Sequence, residues 1–115
     1  MPTPLLEPGP DTVHWGFFDA SLKPRLAINS GERVTISSVS GGPELMPAPP
    51  LKIPAALPAI HAKIKPNLGP HILTGPVAVR GAKAGQALEV RIKSIELHYD
   101  WGYNCLLYTS DAADE

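Results

Sequence analysis

The side chains of this chain best suited to chemistry are its histidines and a few carboxylates. The single cysteine, Cys105, can neither close an internal disulfide nor build a thiolate cluster. His14 sits in Val13-His-Trp-Gly, His61 in Ile60-His-Ala, and His71 in Gly69-Pro-His-Ile-Leu-Thr-Gly-Pro. All three are expected in turns or loops, from which imidazoles can converge on one place. A neutral imidazole and a carboxylate are what a catalytic zinc takes when thiolates are absent, with one position left for water. The acids near these histidines in sequence are Asp19, Glu44 and Asp100. No pair of histidines has the i, i+4 spacing of a helical metal site. Spacing therefore leaves two readings open for each, ligand or hydrogen-bonded packing residue.

Two of these groups have rigid surroundings. His71 is preceded by Gly-Pro and followed by Thr-Gly-Pro, which would hold its backbone tightly, and a catalytic group needs such support. Glu44 follows Gly41-Gly-Pro and precedes another proline-rich run, although an exposed loop acid is the plain alternative. Trp15, Phe17 and Phe18, beside His14, would line either a small apolar pocket or part of the core. Trp101 and Tyr103 carry the same two readings.

The elements that must position these residues are strands and turns. Fourteen prolines and 10 glycines in 115 residues commit much of the backbone to turns and extended segments and leave little room for long helices. Arg33-Val-Thr-Ile-Ser, after a Ser30-Gly31-Glu32 turn, predicts a half-buried strand. Pro76-Val-Ala-Val-Arg, the Gly81-Ala-Lys-Ala-Gly85 turn and Ala87 to Lys93 predict an antiparallel hairpin, with Leu88, Val90 and Ile92 on one face. Ile95 and Leu97 continue out of phase, so a bulge is expected near Lys93-Ser94. Gly31-x-x-Val-x-Ile and Gly85-x-x-Leu-x-Val form a matching pair in which each glycine supplies a positive φ. Between these units, Gly41 to Pro70 holds eight prolines without period-two alternation, which predicts a long irregular loop with one helical turn at Pro54 to His61. The fold class expected is all-β, a β-sandwich-like domain of antiparallel strands and hairpins with a long Pro-rich loop.

Composition bounds the partners. Ten basic residues against 11 acidic ones, with no basic cluster, make nucleic acid a poor partner. The N-terminus has no basic start followed by an apolar run, and no window approaches a membrane span, so neither export nor a membrane is expected and the chain reads as cytoplasmic. With 43% hydrophobic and 18% charged residues, the chain can bury one small core.

His14-Trp-Gly-Phe-Phe-Asp-Ala-Ser-Leu-Lys-Pro and Ser30-Gly-Glu-Arg-Val-Thr-Ile resemble the acetamidase/formamidase family, whose members carry a His-Trp-Gly-aromatic-x-Asp segment and then a Ser-Gly-Asp-x-Val turn. Ser40-Gly-Gly-Pro-Glu, Gly69-Pro-His-Ile-Leu-Thr-Gly-Pro-Val, Arg80-Gly-Ala-Lys-Ala-Gly-Gln-Ala-Leu-Glu-Val and Asp100-Trp-Gly-Tyr-Asn follow in the same order. The resemblance runs over residues 11 to 104 and implies that 1–104 is the N-terminal portion of such an enzyme, an incomplete fragment. Glu32 and Gln86 stand where the family has aspartate, and Lys83-Ala84 where it has Glu-Pro, so catalysis is not assigned to the turns. Residues 105–115 resemble translated sequencing-adapter sequence and are expected to be a non-native tail.

The resemblance implies an all-β hydrolase that binds a divalent metal, zinc in some relatives, and converts formamide, acetamide or similar small amides to carboxylate and ammonia. A metal-bound water would attack the carbonyl while a carboxylate carries the proton to the leaving nitrogen. Carried over by motif, His14, Glu44 and His71 are the expected site, with Glu44 as proton shuttle or ligand and the histidines as ligands or polarising groups. His61 and Asp19 are further candidate ligands. The full-length enzyme is expected to be a homo-oligomer. Two other readings remain: a non-catalytic cupredoxin-like binding module, which would want a cysteine ligand, and an inactive truncated fragment with open strand edges.

Overall fold

The computed structural model describes residues 3–103. Its regular structure is mostly strand: β1 (Leu5–Leu6), β2 (Val13–Trp15), β3 (Leu26–Ile28), β4 (Thr35–Ile36), β5 (Ile72–Thr74) and β6 (Val77–Val79), with a single turn of 3-10 helix at Pro43–Leu45 and one α-helix, α1 (Ala56–Lys63). The strands form three two-stranded ladders, β1 with β4, β2 with β5 and β3 with β6. Each of the first three strands thus pairs with the corresponding strand of the second three, and no ladder joins sequence neighbours.

That arrangement corrects the hairpin expectation. Only the β2–β5 ladder is antiparallel, while β1–β4 and β3–β6 are parallel. The hairpin from Pro76 to Lys93 does not form. Its first half is β6, which pairs through Leu26–Val77 and Ile28–Val79, and the ladder is extended by Arg25 N–H to the Pro76 carbonyl and Arg80 N–H to the Ile28 carbonyl, both 2.8 Å. Its second half, 87–97, joins no ladder among the described residues, and Leu88, Val90 and Ile92 are exposed rather than on a core face. The bulge expected near Lys93-Ser94 therefore has no sheet to interrupt. The turn between the halves is present, with Gly81 at φ +81° and Gly85 at φ +91°. Gly31, at φ +86°, adopts the conformation expected of the matching turn. The strand after it is shorter and more exposed than anticipated, β4 alone, laid against β1 by Thr35 N–H to Pro4 O and Ser37 N–H to Leu6 O, both 2.9 Å.

The helical turn expected at Pro54 to His61 is α1. Pro58 is tolerated because it lies in the first turn, where backbone N–H groups have no intrahelical acceptor. His61 and Lys63 in the last turn suit the negative end of the helix dipole. Ile64 leaves the helix in extended conformation, its N–H still on the Ile60 carbonyl at 2.8 Å, and Pro66 blocks continuation. Leu57 and Ile60, one turn apart, are fully buried, and each contributes roughly 2 kcal/mol by removal from water. They meet Val13 and Trp15 of β2, Ile72 of β5, and Val39, so the core sits between α1 and one face of the β2–β5 ribbon.

Candidate functional site

The β2–β5 ribbon is where the two strongest sequence motifs meet. Its register pairs Val13 with Thr74, His14 with Leu73 and Trp15 with Ile72, and one further step is closed by Gly16 N–H donating to the His71 carbonyl at 2.8 Å. Val13, Trp15 and Ile72 are buried against α1. Because side chains alternate along a strand, His14 and His71 belong to the opposite face, where the register makes them diagonal neighbours. In a regular ladder such neighbours have Cα atoms about 7–8 Å apart, and His71 stands one residue before β5. His14 is half-buried, its ring 5.2 Å from that of Phe17 and tilted to it, while His71 is exposed.

The junction is stitched by backbone rather than by side chains. Gly16, at φ +89°, packs directly on Gly69, leaving no space for a Cβ, and Asn67 N–H donates to the Trp15 carbonyl at 3.1 Å. Trp15 Nε1–H donates to the Pro70 carbonyl at 3.0 Å, so the indole that fills the core also fixes the residue before His71. Glycine at 16 is thus what lets the His-Trp-Gly and Gly-Pro-His segments approach to contact.

Glu44 and His61 lie on the Trp15 side of the ribbon. Glu44, exposed in the 3-10 turn, folds its carboxylate back over Gly42 and borders an open cleft of about 340 Å³ shared with Trp15, Leu45 and the Pro66 to Pro70 segment. The cleft thus joins Glu44 to the residues beside both histidines, Trp15 and Pro70, although neither imidazole lines it. His61 is half-buried on α1, 5.8 Å from Trp15 between ring centroids, with Nε2 2.8 Å from the Gly41 carbonyl. A carbonyl cannot donate, so Nε2 carries the proton and His61 ties α1 to the loop that holds Glu44.

Asp19 stands apart. It is fully exposed and accepts from the Ser21 hydroxyl at 2.7 Å and the Ser21 N–H at 2.8 Å, an Asx-type turn in which those two donors hold its carboxyl below the usual aspartate range. Asp100 is exposed. Of the aromatics flanking His14, Trp15 is core, Phe17 packs on the imidazole, and Phe18 is 89% exposed, so no closed aromatic pocket surrounds the histidine. Cys105 lies outside the described residues.

Two imidazoles on one face suit a borderline cation such as zinc, but a catalytic zinc takes three protein ligands. Among the described residues no three His, Cys, Asp or Glu side chains gather closely enough to hold a metal ion. The described residues thus offer a pair of donors rather than a complete ligand set.

Trp101 and Tyr103, left open between pocket and core, belong instead to a second group with Tyr99. Tyr99 and Trp101 stack with centroids 5.4 Å apart, Trp101 Nε1–H donates to the Lys52 carbonyl at 2.6 Å, Tyr99 O–H donates to the Ser38 carbonyl at 3.3 Å, and the Tyr103 hydroxyl lies 3.3 Å from Ser40 Oγ. The segment 99–103 is therefore strapped across the loops that precede Glu44 and α1. The alternating aromatics of Tyr99-Asp-Trp-Gly-Tyr103 are the signal that could have revealed it.

No helix among the described residues is long and apolar enough to cross a membrane. Comparison with protein-family models, with curated proteins and with solved structures finds no match to this chain.

Proposed function

We propose that this chain carries part of a metal-dependent amidase of the acetamidase/formamidase kind, which hydrolyses small amides to carboxylate and ammonia. The observation that supports this reading is the β2–β5 ribbon. The two segments with the strongest motif resemblance, far apart in sequence, are joined backbone to backbone at Gly16 and Gly69, with His14 and His71 on one face. In this reading His14 and His71 hold a divalent cation, probed first as zinc, and the third ligand is not drawn from a cluster of the described residues. Bound there, such a cation would supply a water of lowered pKa.

The chain's own groups have simpler tasks. Glu44, the expected proton carrier, borders the cleft on the Trp15 side, away from the face of His14 and His71, so the proton that lets the leaving nitrogen depart as neutral ammonia is not assigned to it. Trp15 and the Pro66 to Pro70 segment form the cleft wall against which a short acyl group packs. His61 keeps the Glu44 loop in place through Gly41, and Asp19 acts in its own turn rather than as a ligand. The finer architecture proposed is a β-sandwich-like domain to which the three ladders belong, with the complete enzyme a cytoplasmic homo-oligomer.

Ammonia release from formamide and acetamide, measured on this chain and on the reading frame extended past Asn104, with zinc supplied and with a chelator, tests the proposal. Release by the extended protein that is abolished by chelation is the expected result. Absence of release from any short amide with metal present rejects it.

A further inference from the structure

The segment 87–97 carries a run of exposed apolar side chains among the described residues. Leu88, Val90 and Ile92 are 67%, 74% and 75% exposed, and Ile95 and Leu97 are 78% and 90% exposed. The segment makes no backbone hydrogen bonds to another described residue. Glu89 and Arg91, two residues apart, are bridged on the alternate face, with Arg91 Nε 2.5 Å from Glu89 Oε1. Apolar residues alternating with paired charges, and backbone donors and acceptors with no partner among the described residues, make an edge competent to accept a strand.

The charges select the strand it accepts. We propose that this edge pairs with the same edge of a second copy of the chain, antiparallel about a two-fold axis at Val90. That register sets Leu88 opposite Ile92 twice, Val90 opposite Val90, and Glu89 opposite Arg91 twice. Axes at neighbouring residues are poorer on charge: one at Glu89 opposes two glutamates, one at Arg91 opposes two arginines beside its two Glu89–Lys93 pairs, and one at Ile92 sets Arg91 against Lys93 twice, whereas the axis at Val90 brings no like charges together. Parallel in-register pairing also stacks Glu89 on Glu89 and Arg91 on Arg91. Like charges directly opposite one another oppose pairing, and opposite charges with β-branched cross-strand pairs favour it. The axis at Val90 therefore satisfies the apolar and the charged faces together, and a two-fold contact of this kind is closed and self-complementary. A single strand pair is a small interface, so the dimer is weak and concentration-dependent. Its residues belong to neither the ribbon nor the cleft, so its failure and that of the amidase reading are read by different measurements.

Sedimentation equilibrium of the full 115-residue chain, with charge-swap variants, tests it. The chain is expected to show a concentration-dependent monomer–dimer equilibrium, as a small edge contact implies. Glu89→Arg alone and Arg91→Glu alone each turn two attractive cross-strand pairs repulsive and are expected to weaken the dimer by about tenfold or more. The double variant, E89R with R91E, restores opposite charges and returns dimerisation to within about threefold of the original. An equimolar mixture of the two single variants forms a heterodimer at least as tight. Both side chains are more than 70% exposed, so the swaps leave folding intact, which circular dichroism verifies. A chain that stays monomeric throughout, single swaps without effect, or a double variant no better than the singles overturns the proposal.

Discussion

Gly16 and Gly69 touch backbone to backbone, so that a Cβ on Gly16 would overlap both the carbonyl oxygen and the nitrogen of Gly69. This contact holds the residues after His14 against those before His71. Gly16 also has φ +89°, so alanine there meets two penalties at once. Gly16→Ala is expected to cost about 3 kcal/mol or more, combining backbone strain with a clash that neither backbone can relieve. Gly31→Ala is the control, since its φ of +86° brings a similar strain but its Cβ would meet nothing within 4 Å. Its expected cost is about 1 kcal/mol. Urea denaturation of both variants measures the difference, and equal losses would show that the Gly16–Gly69 approach is not what limits substitution.

Trp15 links the core to the loop before His71, and its two contributions can be separated. The indole is 3% exposed and Nε1–H donates to the Pro70 carbonyl at 3.0 Å. Trp15→Phe leaves a partial void and removes the donor, for an expected loss of about 2–4 kcal/mol. Leu57→Ala, equally central but without a polar contact, is expected to lose about 2–5 kcal/mol from cavity formation alone. Hydrogen exchange at residues 67–71 distinguishes the two. The Trp15 variant should raise exchange there beyond what its global stability predicts, and the Leu57 variant should not.

How much of this arrangement could be read from the sequence depends on the range of the interactions that decide it. A helical turn over Pro54 to His61, where α1 spans Ala56–Lys63, was legible because the apolar pair Leu57 and Ile60 and the stop at Pro66 are local. The positive φ at Gly31 and Gly85 was legible for the same reason, since only glycine accepts that conformation without cost. The pairing of Val77–Val79 was not. Its partner, Leu26–Ile28, lies far upstream, and a parallel ladder leaves no turn signature between its strands. Alternation at Leu88, Val90 and Ile92 signalled a strand with two faces but carried no information about what would cover one of them. In the candidate site, rigid flanks singled out His71 and Glu44, yet the register that puts His71 diagonal to His14 arises from a ladder no local pattern announces.

Zinc binding offers a direct check on the proposed roles of the two histidines. Both stand on one face of the ribbon, whereas Glu44 stands on the Trp15 side. His14→Ala and His71→Ala should each weaken zinc binding by at least about tenfold, as loss of one of few ligands requires. Glu44→Gln should leave zinc affinity within about threefold, since its carboxylate borders the cleft on the other side of the ribbon. Isothermal titration with zinc compares the three variants. If E44Q loses zinc as severely as the histidine variants, Glu44 is a ligand.

Alkaline titration reports on the strap formed by Tyr99 and Trp101. Partial burial raises the Tyr99 phenol above its ordinary value near 10, because desolvation disfavours the phenolate. The folded protein therefore keeps its proton at a pH where the unfolded chain has released it. Stability from this group is fully present below about pH 10 and is lost as pH rises through the folded-state pKa. Tyr99→Phe retains the stacking on Trp101 and gives up only the 3.3 Å hydrogen bond to the Ser38 carbonyl. At pH 7 it is expected to cost about 1 kcal/mol or less. Between about pH 9 and 12, thermal melts of the original chain should fall more steeply than those of the variant, since the variant has no phenol to ionise. Parallel melting curves over that interval would mean that the Tyr99 hydroxyl is as well solvated in the folded chain as in the unfolded one, and that the strap does not depend on its burial.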